Sequence, residues 1–242
     1  MSLSPYLRPE KKGYHPILSF QGSVLPGVDF YENTLQTAQL AREISLRAGS
    51  CIVEINLSCP NEESTPVYRD LSSVLRILKL LHPLFAGSKN VRLIAKIGAL
   101  NHLDCLRFVG ETAPYLSGVS AINTVSAMVH TPLGEVAIPH NGGRSGVCGA
   151  LIYEQGVRMV ATLASHREYL GIKKEDFGIV GVGGVVNADD VCGYLNAGAD
   201  VVQAATGMMW NLGLSEDVAQ KLRVSYINSA HEDEGLNYAC GL

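Results

Sequence analysis

Residues 51–61 read Cys-Ile-Val-Glu-Ile-Asn-Leu-Ser-Cys-Pro-Asn, and the six from Val53 to Ser58 alternate strictly between apolar and polar. Successive side chains of a strand point to opposite faces. Val53, Ile55 and Leu57 therefore share one face, and Glu54, Asn56 and Ser58 share the other. The first face suits packing under helices. The second suits an interior or a cleft. Pro60 ends the pattern, so Cys59 and Asn61 fall on the loop that follows.

Working outward, the same type of run recurs. Strands are predicted at His15–Gln21, Cys51–Ser58, Val91–Gly98, Gly118–Thr124, Gly178–Val185 and Asp200–Thr206, each short, rich in β-branched residues and often bounded by Gly. Helical spacing fills the gaps. Leu35, Ala38 and Ile44 mark one helix, and Leu71, Val74, Leu75 and Leu78 mark a second over Asp70–Leu84. Leu103, Leu106 and Val109 mark a third. A long helix is expected within Ala150–Leu170 and a last one within Ser215–Ser229. Asn187, with Asp189 and Asp190 behind it, is an N-cap for the helix after the fifth strand. Strict alternation of strand and helix predicts a parallel sheet with right-handed crossovers. A closed barrel and an open doubly wound sheet both satisfy that pattern. Residues 1–14 are polar and aperiodic and read as a tail. Residues 15–242 read as one domain.

Composition narrows the function classes. The 242 residues are 47% hydrophobic and 17% charged with a formal net charge of −4, an ordinary globular balance without the basic footprint of a nucleic-acid binder. No apolar run is long enough to span a bilayer, and no secretory pattern opens the chain, so a soluble cytoplasmic protein is expected. The six cysteines form no CxxC pair, which leaves zinc chemistry without support and predicts free thiols.

Polar residues stand near the C-terminal ends of three successive strands: Asn56, Lys96 and Asn123. Ligands of α/β folds sit at that end of the sheet, and a lysine inside a barrel needs a compensating charge. The three are expected to converge on one cavity. Two Gly-rich segments follow, Asn141–Gly146 and Gly181–Gly184. Glycine amides approach a phosphate closely, so both segments read as anion-binding loops, with Thr206 closing the next strand. No GxGxxG follows the first strand and no GxxxxGK[ST] occurs, which disfavours Rossmann and P-loop readings.

The run Glu54-Ile-Asn-Leu-Ser-Cys-Pro-Asn61 resembles the ELNLSCPN signature of class 1 dihydroorotate dehydrogenases and of the related domain of dihydropyrimidine dehydrogenases. Ile94-Ala-Lys96, Ile122-Asn-Thr124, Gly142–Gly146, Gly181–Val185 and Val202–Thr206 follow in the family's order. The resemblance implies a TIM-type (β/α)₈ barrel with FMN across its C-terminal mouth, oxidising dihydroorotate to orotate in pyrimidine biosynthesis. It implies Cys59 as the base, and Asn56, Asn61, Asn123 and Thr124 as substrate-binding residues. Asn56, Lys96, Asn123, Gly143, Ser145 and Gly146 would contact the cofactor, and Gly183, Gly184, Ala205 and Thr206 its phosphate. Ala205 departs from the family's usual glycine. Cysteine at position 59 favours class 1 over the membrane-associated class 2.

Only six strands match, and His15–Gln21 corresponds to the family's third. The barrel is therefore expected to be truncated to about six βα units, open between the first and last strands. Exposed apolar interior side chains, weak FMN retention and self-association are expected to follow. The resemblance also admits a related flavin-dependent dihydropyrimidine oxidoreductase, or a non-catalytic remnant.

Overall fold

The computed structural model describes residues 16–23, 27–47, 52–58, 66–88 and 91–231. Six parallel strands form one sheet: β1 (Ile17–Phe20), β2 (Ile52–Asn56), β3 (Arg92–Ile97), β4 (Gly118–Ala121), β7 (Gly178–Val182) and β8 (Val201–Gln203). Between β4 and β7 the chain inserts an antiparallel hairpin, β5 (Val125–Met128) with β6 (Arg144–Val147). The sheet order is β1-β2-β3-β4-β7-β8, sequential throughout. It is a half-barrel of the TIM type. Among the described residues β1 pairs only with β2 and β8 only with β7, so the sheet is open where the sequence predicts.

Helices α1 (Phe30–Arg47), α2 (Leu71–Phe85), α3 (His102–Thr112), α4 (Tyr153–Tyr169) and α5 (Ala188–Asn196) supply the crossovers. After β8 come a five-residue helix, α6 (Thr206–Trp210), and α7 (Leu214–His231). Side chains set several starts. Asp70 accepts from Ser72 N at 3.1 Å and from the Ser72 and Ser73 hydroxyls at 2.6 Å, and those hydroxyls hold its carboxyl below the usual range. Asn101 accepts from Asp104 N at 2.9 Å. Asn187 and Asp190 form a reciprocal capping box. No helix among the described residues is long and apolar enough to cross a membrane.

The face of the sheet toward the helices is the core. Val53, Ile55, Leu93, Ala95, Ile97, Val119, Ala121 and Ile179 are all at most 2% exposed. They meet Ala38, Val74, Leu78, Phe108, Val109, Val160 and Leu163 in one cluster. Helix α3 turns differently from its expected face. Cys105, Phe108, Val109 and Thr112 are buried at i, i+3, i+4 and i+7, while Leu103 is exposed.

Three further expectations are corrected. The predicted fourth strand ends at Ala121 and the sixth at Gln203, so Asn123 and Thr206 lie beyond strand geometry. The opposite face of the sheet is not a stranded apolar interior. It mixes Ser19, Glu54, Asn56, Lys96, Ser120 and Gln203 with buried Ile94, Val180 and Val182, and of the sheet's large apolar strand residues only Val201, at 50%, is exposed. Cys105 and Cys148 are free thiols, but Cys192 is disulfide-bonded.

Candidate active site

Parallel pairing puts Asn56 of β2 directly beside Lys96 of β3, and Lys96 beside Ser120 of β4. Registered partners of parallel strands share a face, so these three line the side of the sheet away from the helices. Asn56 ends its strand. Its Nδ2 donates to Gln21 Oε1 at 3.1 Å, and its Oδ1 accepts from Ser58 N and Ser58 Oγ, both at 3.1 Å. Asn123 Nδ2 in turn donates to Ser58 O and Ser58 Oγ, both at 2.8 Å. One hydrogen-bonded chain thus runs Asn123, Ser58, Asn56, Gln21 across the C-terminal ends of β4, β2 and β1.

Continued alternation past Ala121 would put Asn123 on the helix side. The chain instead leaves the strand there, and Asn123 N donates to Ile97 O at 2.9 Å. Asn56 and Asn123 therefore meet through Ser58, while Lys96 stands in register beside Asn56. Ser58 and Gln21 are absent from the sequence-derived site. Their signal was present: Ser58 shares the polar parity of Asn56, and Gln21 is the polar residue ending the first predicted strand.

Beneath this row the face is closed and mixed, with Glu54 in register beside Ile94. Glu54 is 5% exposed, and its Oε1 accepts from Ser19 Oγ at 2.8 Å. Ser120 Oγ is fully buried without a hydrogen-bond partner. Among the described residues no carboxylate pairs with Lys96.

Residues 122–124 join this row to the glycine turns. Ile122 N donates to Val182 O at 2.6 Å, and the Ile122 side chain lies against Gly183, where a Cβ would stand 3.3 Å from Ile122 Cγ1. Thr124 Oγ1 is buried and unpartnered, and a Cβ on Gly146 would stand 2.5 Å from it. Only glycine lets β6 come that close. The Asn141–Gly146 segment is accordingly not the open loop expected of it. Gly143 closes a short 3₁₀ turn, and Ser145 and Gly146 are ladder residues opposite Ala127 and Ser126.

The second Gly-rich segment is a turn. Gly183 and Gly184 follow β7 with φ of +123° and +77°. A Cβ on Gly184 would stand 2.5 Å from Tyr153 N and Cα. The next turn abuts it: Ala205 is the N-cap of α6, Thr206 begins that helix, and Gly207 packs on Val185 O. Gly183, Gly184, Ala205 and Thr206 thus form one neighbourhood at the end of β7 and β8. Cys59 and Asn61 lie outside the described residues.

Residues 27–224 match the family model for dihydroorotate dehydrogenase. The chain is 31% identical over 206 residues to a dihydroorotate dehydrogenase of Dictyostelium discoideum, covering 82% of this chain and 53% of that protein. It is 26% identical over 196 residues to a subunit of the NAD-dependent dihydropyrimidine dehydrogenase of Escherichia coli K12, covering 79% of this chain and 46% of that one. A dihydroorotate dehydrogenase structure from Eimeria tenella, in complex with ferulenol, superposes with a TM-score of 0.63 at 16% identity, over 86% of this chain and 57% of its own. The chain spans about half the length of the curated relatives it matches.

Proposed function

The chain belongs to the dihydroorotate dehydrogenase family, and on that premise we propose that it takes part in FMN-dependent oxidation of dihydroorotate to orotate. The observation that carries the reading is the row of Asn56, Ser58 and Asn123 with Lys96 in register beside it. Amide side chains present both donors and acceptors, which is what a pyrimidine ring edge requires. A half-buried ammonium with no ion pair among the described residues suits a place where negative charge develops.

The residues also suit the cofactor. Thr124 Oγ1 is a buried hydroxyl without a partner among the described residues, and in the Gly183–Gly184 turn a Cβ on Gly184 would collide with the backbone of Tyr153. Gly183, Gly184, Ala205 and Thr206 would hold the phosphate of FMN. Asn56, Lys96, Asn123, Gly143, Ser145 and Gly146 would hold the remainder. When bound, FMN supplies the hydride acceptor. The chain's own residues do the rest. Cys59 Sγ, as thiolate, takes the proton from C5 of dihydroorotate. Asn56, Asn61, Asn123 and Thr124 orient the ring, and the Lys96 ammonium lowers the cost of negative charge arriving beside it.

Self-association is part of the same proposal, because β1 and β8 both present unpaired strand edges among the described residues. The test of the chemistry is to purify the chain with added FMN, measure the bound visible flavin band, and mix it anaerobically with dihydroorotate. Bleaching of the band is expected. Bound flavin that dihydroorotate leaves oxidised and dihydrouracil bleaches would favour a dihydropyrimidine oxidoreductase, the reading that the Escherichia coli similarity supports. A chain that takes up no flavin would overturn both.

A further inference from the structure

The Gly183–Gly184 turn is held from behind by a single helix face. Tyr194 of α5 is fully buried, and its hydroxyl donates to Gly183 O at 2.7 Å. Four residues earlier, one turn along the same face, Asp190 Oδ2 accepts from Val186 N at 2.8 Å and from Asn187 N at 3.1 Å. Both ends of the segment 183–187 are thus tied to α5. Tyr153 stacks edge-on against Tyr194 with ring centroids 5.6 Å apart, and its hydroxyl donates to Asp190 O at 3.3 Å. Three glycines leave room for the pair: a Cβ at Gly156 or Gly181 would collide with Tyr194, and one at Gly193 with Tyr153. That accommodation costs two helices a glycine each, a choice that simple core filling does not require.

The peptide geometry gives the brace a direction. The Gly183–Gly184 bond is trans, since the one cis peptide of the described chain is Ala121–Ile122. Across a planar trans peptide the C=O and the following N–H point opposite ways. Fixing Gly183 O toward Tyr194 therefore aims the Gly184 N–H away from α5.

We propose that Tyr194 is a positioning residue for phosphate binding: its hydroxyl holds the Gly183–Gly184 peptide so that the Gly184 N–H faces an anion at the end of β7. The inference rests on the reading of that turn as the phosphate end of the flavin site. Burial pushes the Tyr194 hydroxyl well above its usual range, so it stays a neutral donor at any working pH.

The test compares binding of FMN and riboflavin, which differ by the phosphate, to the full chain and to Tyr194→Phe, by quenching of flavin fluorescence. The ring, and with it the packing, is kept. FMN affinity is expected to fall about tenfold, the scale of one oriented hydrogen bond, with riboflavin affinity unchanged. Asp190→Ala, which removes the acceptor at the other end of the segment, should show the same phosphate-selective loss, and serves if Tyr194→Phe fails to fold. Equal weakening of both flavins, or of neither, overturns the positioning role. A wild-type chain that binds riboflavin as tightly as FMN overturns the phosphate reading itself, and this inference with it.

Discussion

The two faces of the one sheet divide the work. On the helix side Val53, Ile55, Leu93, Ala95, Ile97 and Val119 are buried to 2% exposure or less, with no polar strand residue among them. On the other side, at alternate positions of the same strands, Ser19, Glu54, Asn56, Lys96 and Ser120 stand together with Ile94 and Val180. A cation and a buried carboxylate on that face contribute little to stability and are costly to desolvate. The contrast teaches that stability is concentrated under the helices and the candidate chemistry on the open side, one residue apart along each strand. Substitutions should separate accordingly.

The largest effect is expected from Ile55→Ala. It empties part of the helix-side core and should cost about 2–5 kcal/mol, read as a lower midpoint in urea denaturation. A loss under about 1 kcal/mol would mean that this face is not the core it is taken to be. Lys96, which follows Ile55's cross-strand partner Ala95, points the other way. Lys96→Ala should slow flavin reduction roughly 10²-fold, the scale of one lost charge-stabilising donor, with the urea midpoint unchanged or raised. Unchanged reduction kinetics would remove Lys96 from the proposed chemistry, and a large loss of stability would blur the division of faces.

Asn123→Ala tests the seam between the two faces. It deletes both hydrogen bonds to Ser58 and should cost about 1–2 kcal/mol of stability, while weakening substrate binding through the loosened Asn56. Retained substrate affinity would show that the row is a structural clasp. The smallest effect concerns pH. Burial raises the Cys105 thiol from its ordinary 9.0 to about 12. The unfolded chain releases that proton above pH 9 and the folded chain does not, so the folded state binds more protons there. The stability contribution is full below pH 9 and is lost as pH rises toward about 12. Native Cys105 should also resist alkylation at pH 9 while the exposed Cys148 reacts. Equal labelling of both under native conditions would contradict the burial of α3's inner face.

Much of this was legible because it depends on local backbone periodicity. The apolar parity of Val53, Ile55 and Leu57 predicted which face of β2 would be buried, and Asn187 with Asp190 announced the start of α5. The helix faces were less legible. Three-and-four spacing fits several neighbouring phases, and in α3 the packing selected Cys105 and Phe108 over Leu103. The hairpin was missed because Arg144-Ser-Gly-Val147 has no apolar alternation. It is a strand because β5 pairs with it and because Gly146 can lie against Thr124.

What the sequence by itself determined is therefore the number and sidedness of the six strands, since alternation along a strand follows from the geometry of each residue's own backbone. Only the tertiary structure decided that Asn123 would reach Ser58, 65 residues away, and that the Tyr194 hydroxyl would close on Gly183. Those contacts depend on where one strand ends relative to its neighbour and on glycines that let a ring or a backbone approach. Neither quantity is carried by the periodicity of any single segment.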